Sequence, residues 1–180
     1  MKIIVTFAIL AGAISAQNIN KFVISDEAAK KTLVKNEISA DTAAKITQAC
    51  VDWANKNNQA VSVFILSPTG QIVHAHRMDG QVPINTETAL LKAQSVLYTR
   101  DSTHARANQV ANNVSLQLRW AKLPVFPVSG GLPIIVDGQM IGAIGVGGGS
   151  RDEDCAYQAL TTVIGPQPPL AGPAPAAPAK

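Results

Sequence analysis

Gly130-Gly131-Leu132-Pro133-Ile134-Ile135-Val136-Asp137-Gly138-Gln139-Met140-Ile141-Gly142-Ala143-Ile144-Gly145-Val146-Gly147-Gly148-Gly149 is the stretch on which the reading of this chain turns. It reads as strand, two-residue turn, strand, and a glycine loop that opens a helix. Asp137-Gly138 predicts a type I′ hairpin, because both central positions of that turn need positive φ and these residue types tolerate it. The flanks are β-branched and apolar, as a buried strand pair requires. Gly142, Gly145 and Gly147 weaken the second strand, so something must approach its face closely. That something is either a flat ligand or the backbone of a packed helix, and the glycines alone do not choose.

Working outward, Val61–Leu66 and Gln71–Met78 are two further strands joined by the turn Ser67-Pro68-Thr69-Gly70. Ser39 caps a helix over 40–54 with apolar residues at helical spacing. Another helix is expected from Asn85 or Thr86 to Leu97, with Glu87 near its positive end. One or two weaker segments follow over 101–120. Ser150 and Glu153 have the spacing of a capping box, which starts a last helix over 152–163. Helix, hairpin, helices, hairpin, helix is an α+β order: a single domain with an antiparallel sheet covered on both faces by helices or by a neighbouring subunit.

The ends read differently. Lys2, an apolar run from Ile3 to Ile14 and small residues through Ala16 have the order of a secretory signal, so 1–16 is assigned as a signal peptide and the protein as secreted or periplasmic. The run is shorter than the ~20 apolar residues of a membrane span. Residues 17–38 are a polar lead-in, 39–164 the domain, and 165–180 a Pro/Ala-rich tail for which the composition predicts extended, disordered chain. Without Lys2 the chain has 14 basic and 12 acidic residues. That balance, with no basic run or aromatic platform, gives no support for nucleic-acid binding. Cys50 and Cys155 both fall in expected helices; export permits a disulfide between them, and two separate buried thiols are the other reading.

Several side chains carry chemistry. His74 and His76 lie two apart on a strand and so share a face. Such a pair either holds a metal or haem iron, or is simply hydrogen-bonded and solvated. Arg77 points to the opposite face, towards Asp79 or an anionic ligand. Lys92 sits in the apolar middle of a helix, either with its stem laid along an edge or with its charge aimed at a carboxylate. There is no G-x-S-x-G elbow for a serine hydrolase, and the glycine loop fails the G-x-G-x-x-G spacing of a nucleotide cradle.

Taken in order, Arg77-Met78-Asp79-Gly80, Lys92-Ala93, Gly130-Gly131-Leu132-Pro133-Ile134, Asp137-Gly138 through Gly147-Gly148, and Asp152-Glu153-Asp154-Cys155-Ala156 resemble the GlcG/HbpS-like family, which includes the C-terminal domain of PduO-type proteins. The resemblance covers roughly residues 40–164. It implies one α+β domain with an antiparallel sheet of about five strands, assembled as a homo-oligomer. It also implies haem as the cofactor, with a corrinoid as the alternative. The HbpS branch is secreted, binds haem, and is associated with haem degradation and redox sensing, and the exported start of this chain fits that branch. Carried over by position, Arg77, Met78, Asp79, Lys92, Thr103, Gly130 and Gly131 match residues around an inter-subunit cleft. Thr103 matches an unusual haem-iron ligand of the family, with Thr99 as the alternate; His74 and His76 depart from the family pattern and are further candidate ligands. The reading is a haem against the glycine strand, its propionates on Arg77 and Lys92. The alternatives are an enzyme acting on a small carboxylated metabolite in the same cleft, with Arg77 as clamp and Asp79 or a histidine as base, and a purely oligomeric scaffold.

Overall fold

The computed structural model describes residues 36–172, so the expected signal peptide and most of the lead-in lie outside the described residues. Helix α1 (Ala40–Lys56) begins where Ser39 Oγ accepts the Thr42 N–H at 3.2 Å, and it buries Ala43, Ile46, Cys50 and Ala54 along one stripe. Strands β1 (Ser62–Leu66) and β2 (Ile72–Arg77) form the first hairpin. Helix α2 (Pro83–Thr99) starts two or three residues before the expected Asn85 or Thr86 and ends two after the expected Leu97. Proline fixes the helical φ and lacks an N–H that the first turn could not pair, so Pro83 sets the start with no side-chain cap. The weak 101–120 region resolves into two short helices, α3 (Thr103–Val110) and α4 (Val114–Trp120), capped by Ser102 and Asn113. Strands β3 (Gly131–Val136) and β4 (Gln139–Gly147) are joined by Asp137 and Gly138 at φ 49° and 73°, the positive values a type I′ turn requires. Helix α5 spans Asp152–Val163.

The four strands form one antiparallel sheet in the order β2-β1-β4-β3. This corrects the expected count of about five: among the described residues there is no fifth strand. What the lead-in does contribute is a single hydrogen bond, Ile38 N–H to the Ile141 carbonyl at 2.9 Å. Ile141 is the residue skipped at the β3–β4 register shift, which leaves its carbonyl free for that bond.

Side chains alternate across the sheet. Val63, Ile65, Leu132, Ile134, Ile144 and Val146 face α1 and α5 and form the main core with Ile46, Ala156 and Leu160. Within it a disulfide joins Cys50 of α1 to Cys155 of α5, their Cα atoms 5.1 Å apart, which decides between the two readings of the cysteines. The opposite face carries the small residues, and α2 lies on it. A Cβ added at Gly145 would collide with the Ala89 carbonyl oxygen and stand 2.6 Å from Ala93 N; one at Gly147 would collide with the Asn85 carbonyl oxygen. The glycine strand is therefore filled by the chain's own helix. The flat ligand was expected against that face between subunits; at Gly145 and Gly147 the backbone of α2 already occupies the space.

The capping box also needs correcting. Arg151 occupies the cap position of α5 with no side-chain hydrogen bond. Asp152 takes the loop instead, its Oδ1 accepting the Gly149 N–H at 2.8 Å, while Gln59 Oε1 accepts from Ser150 N at 3.1 Å. Beyond α5, residues 165–172 run without helix or strand, and Leu170 packs against the core. This packing differs from the free tail that composition implied; residues 173–180 lie outside the described residues.

Candidate functional site

The candidate residues fall into two groups at opposite edges of the sheet. His74, His76, Arg77, Met78 and Asp79 belong to β2 and its exit, while Thr103, Gly130 and Gly131 lie around the start of β3. Strands neighbour at 4.7–4.9 Å, so β2 and β3 are separated by about 14 Å across the sheet. A single chain does not bring them together.

At the β3 edge the residues converge, but on one another. Lys92 reaches from α2 into the fold, its Nζ donating to the Val146 carbonyl at 2.8 Å and to Asp152 Oδ2 at 2.7 Å. The two side chains are only 4% and 10% exposed. Lys92 was expected at the rim of a ligand; it is instead the buried counter-charge of Asp152. Gly130, at φ 124°, is required there twice over: by its backbone, and because a Cβ would stand 2.7 Å from the Val146 carbonyl oxygen and 2.9 Å from Lys92 Nζ. Thr103 is fully buried at the first turn of α3, and its Oγ1 accepts the Gly131 N–H at 2.9 Å. Thr99 is turned back on its own helix, donating to the Ser95 carbonyl at 2.8 Å. Neither threonine hydroxyl faces an open cavity; Lys92, Thr103, Gly130 and Gly131 form a joint holding α2, α3, β3 and α5.

Burial pushes the Asp152 carboxyl above its ordinary value of 3.8, and the Lys92 charge and hydrogen bond only partly oppose it. Its neighbour behaves alike. Glu153 Oε2 lies 2.7 Å from His104 Nδ1, and burial lifts this carboxyl above 4.5 against the pull of that histidine. Glu153 Oε1 is buried without a partner. The sequence reading missed this second pair. Its signal was two consecutive acids on a helix that turn out to answer bases on two different helices, which spacing along the chain does not show.

At the β2 edge the side chains are more open. His74 Nδ1 lies 3.1 Å from Thr47 Oγ1 of α1, so this histidine is tied to the fold. His76 shares its face, as their partners Ile65 and Val63 on β1 show. It is exposed and has no intramolecular partner among the described residues. Arg77 is exposed on the other face and donates from Nη1 to the Gln81 carbonyl at 2.8 Å rather than to Asp79. Met78 is half-buried, its Sδ 3.3 Å from Val61 N. Asp79 is exposed in the turn. Among the described residues no group of three or more His, Cys, Asp or Glu is placed to hold a metal ion, and no helix is long and apolar enough to cross a membrane.

Among the described residues, one antiparallel sheet with α2 laid on its glycine face and a disulfide-linked helix pair on the other defines an α+β domain whose polar chemistry lies at the sheet edges. The chain belongs to the family described as haem degrading protein HbpS-like, which matches residues 38–161. It is 32% identical to the protein GlcG of Escherichia coli (strain K12) over 110 residues, 61% of this chain and 80% of that protein. Among solved structures it is similar to the PduOC:haem complex, with TM-score 0.66 and 26% identity over 71% of this chain and 95% of that one. It is similar also to HbpS, with TM-score 0.67 and 25% identity over 76% and 96%.

Proposed function

We propose that this protein is an exported haem-binding protein of the HbpS type, holding haem at the β2 edge between two copies of the chain. The observation that carries the reading is the match to a haem-degrading family over residues 38–161, together with the likeness to a haem-bound relative. The donor chemistry of the edge fits: His76 offers an exposed imidazole without an internal partner, and the neighbouring Arg77 offers a guanidinium for a propionate. The buried Thr103 fits less well, since its hydroxyl is taken by Gly131. An imidazole on an open edge leaves one face of a porphyrin in water, and a second copy of the chain supplies the cover. Bound haem would supply a redox-active iron, the chemistry that degradation or redox sensing requires. The chain's own part is to ligate, to pair the propionates and to exclude water. Export is supported by the Lys2-to-Ala16 pattern and by the Cys50–Cys155 disulfide, which persists in oxidising compartments.

Titrating hemin into the intact protein while following the Soret band tests this. Saturable binding is expected, with the spectrum altered or lost in His76→Ala, retained in His74→Ala and retained in Thr103→Val. No saturable change in the unmodified protein removes the haem reading. Loss in Thr103→Val with His76→Ala unaffected removes the ligand assignment.

A further inference from the structure

A cavity of about 270 Å³ lies between β3, α5 and the extended chain after α5. Its walls on the domain side are Leu132, Pro133, Ile135, Tyr157 and Leu160; residues 167–171 close it from outside. That strap follows the segment matched by the family, which ends at residue 161. It is held by packing of Leu170 on the core, by the Tyr157 hydroxyl donating to the Gln167 carbonyl at 3.4 Å, and by Asn108 donating to the Gly172 carbonyl.

Two polar groups of the lining have no partner within the fold among the described residues. Gln167 spends its amide N–H groups on the Gly165 and Pro166 carbonyls at 3.1 and 3.4 Å, which fixes Oε1 as the other end of the amide. That Oε1 is buried with no partner. A buried acceptor left unpaired is costly, so a donor is called for at this point. The second feature is Arg100, exposed at the cavity mouth at the left-handed end of α2 with φ 57°. Its guanidinium makes no hydrogen bond or ion pair among the described residues. The adjacent Asp101 does not neutralise it, because Asp101 is held by Arg106 Nη2 at 2.9 Å and by Ser102 N–H at 2.8 Å. Apolar walls with a few convergent polar groups are the make-up of a small-molecule site, and this volume lies near the lower end of the usual ~300–1,000 Å³.

We propose that this strapped cavity binds a small aromatic carboxylic acid carrying a hydroxyl or amide N–H. The ring fills the space between Leu132, Tyr157 and Leu160, the carboxylate pairs with Arg100, and the hydroxyl donates to Gln167 Oε1. The strap is one wall of the site, so ligand binding and strap docking stabilise each other. The site is separate from the β2 edge, and the inference does not rest on the haem reading.

Isothermal titration of the full chain with 4-hydroxybenzoate, benzoate and benzyl alcohol tests it. Saturable binding is expected, tightest for 4-hydroxybenzoate. Gln167→Leu should weaken 4-hydroxybenzoate at least tenfold and leave benzoate within twofold. Arg100→Gln should weaken both acids at least tenfold without changing benzyl alcohol, and it should leave hemin titration as in the unmodified protein. A chain ending at Ile164 should retain its far-ultraviolet spectrum and lose all three. Absence of saturable binding by any probe at millimolar concentration overturns the proposal. So does equal binding by the shortened chain, or a Gln167→Leu variant that does not separate the hydroxylated acid from benzoate.

Discussion

Replacing Lys92 by methionine tests the central energetic claim, that α2 and α5 are joined by a charge pair out of reach of water. Exposed ion pairs contribute about 0–1 kcal/mol, and Lys45–Asp41, with side chains 65% and 77% exposed, belongs to that class. Lys92–Asp152, at 4% and 10%, does not. Removing one partner of a buried pair costs about 3–5 kcal/mol, chiefly because the other charge is left without compensation. Asp152 keeps the Gly149 N–H at 2.8 Å, which places Lys92→Met at about 3 kcal/mol, the lower end. In Lys92→Met/Asp152→Asn the stranded charge is gone and the Gly149 N–H retains an acceptor. The unpaired Val146 carbonyl remains, at about 1–3 kcal/mol. The double variant should therefore be no less stable than Lys92→Met, and far from the sum of the two single changes. Urea unfolding with the disulfide intact, analysed as a double-mutant cycle, supplies the numbers. The cost of Lys92→Met should also shrink in acid, because Asp152, already pushed up by burial, protonates sooner once the lysine charge is gone. A loss below about 1 kcal/mol, or additivity of the two single changes, would refute the argument.

Gly145→Ala drives a methyl group into the Ala89 carbonyl and Ala93 N, and should cost upwards of about 3 kcal/mol by urea midpoint. Gly138→Ala meets no atom within 4 Å and bears only the positive-φ cost of about 1–2 kcal/mol. Cys50→Ala/Cys155→Ala releases a loop of 105 residues, for which the chain-entropy model gives about 4.7 kcal/mol and measured cases typically 2–4. Calorimetry should show a fall of roughly 5–15 °C. Burial holds Asp152 and Glu153 above 3.8 and 4.5, so the folded state keeps protons that the unfolded chain has released. Their contribution is present in full below those unfolded values and is lost as pH rises through the raised folded ones. Stability between pH 4 and 7 should accordingly fall less steeply in Glu153→Gln than in the unmodified protein.

Much of the fold is legible along the chain because its signals are local. Ser39 announces α1 through one hydroxyl, Asp137-Gly138 announces the second hairpin through two positive φ angles, and α5 has the expected span of 152–163 although the capping box that suggested it does not form. Where two local signals competed, the boundary slipped: Asn85 and Glu87 look like a helix start, yet Pro83 begins α2. Ser150 and Glu153 have capping-box spacing, but Glu153 turns to His104 and Asp152 answers Lys92 instead. Of the candidate site, the common face of His74 and His76 follows from strand alternation and holds. That Arg77 and Thr103 lie at opposite edges follows only from the strand order.

By itself the sequence determined the hairpins, the helices and the need for something close against Gly145 and Gly147, because φ preferences, caps and periodicity act over a few residues. Tertiary structure alone decided that α2 fills that face, that Cys50 meets Cys155, and that Lys92 is consumed by Asp152 rather than offered to a ligand. Each of those facts is a meeting of residues about 50 to 105 positions apart, or of a strand with a helix backbone. Which distant partner satisfies a buried charge, a thiol or a missing side chain is fixed by the packing of the whole domain.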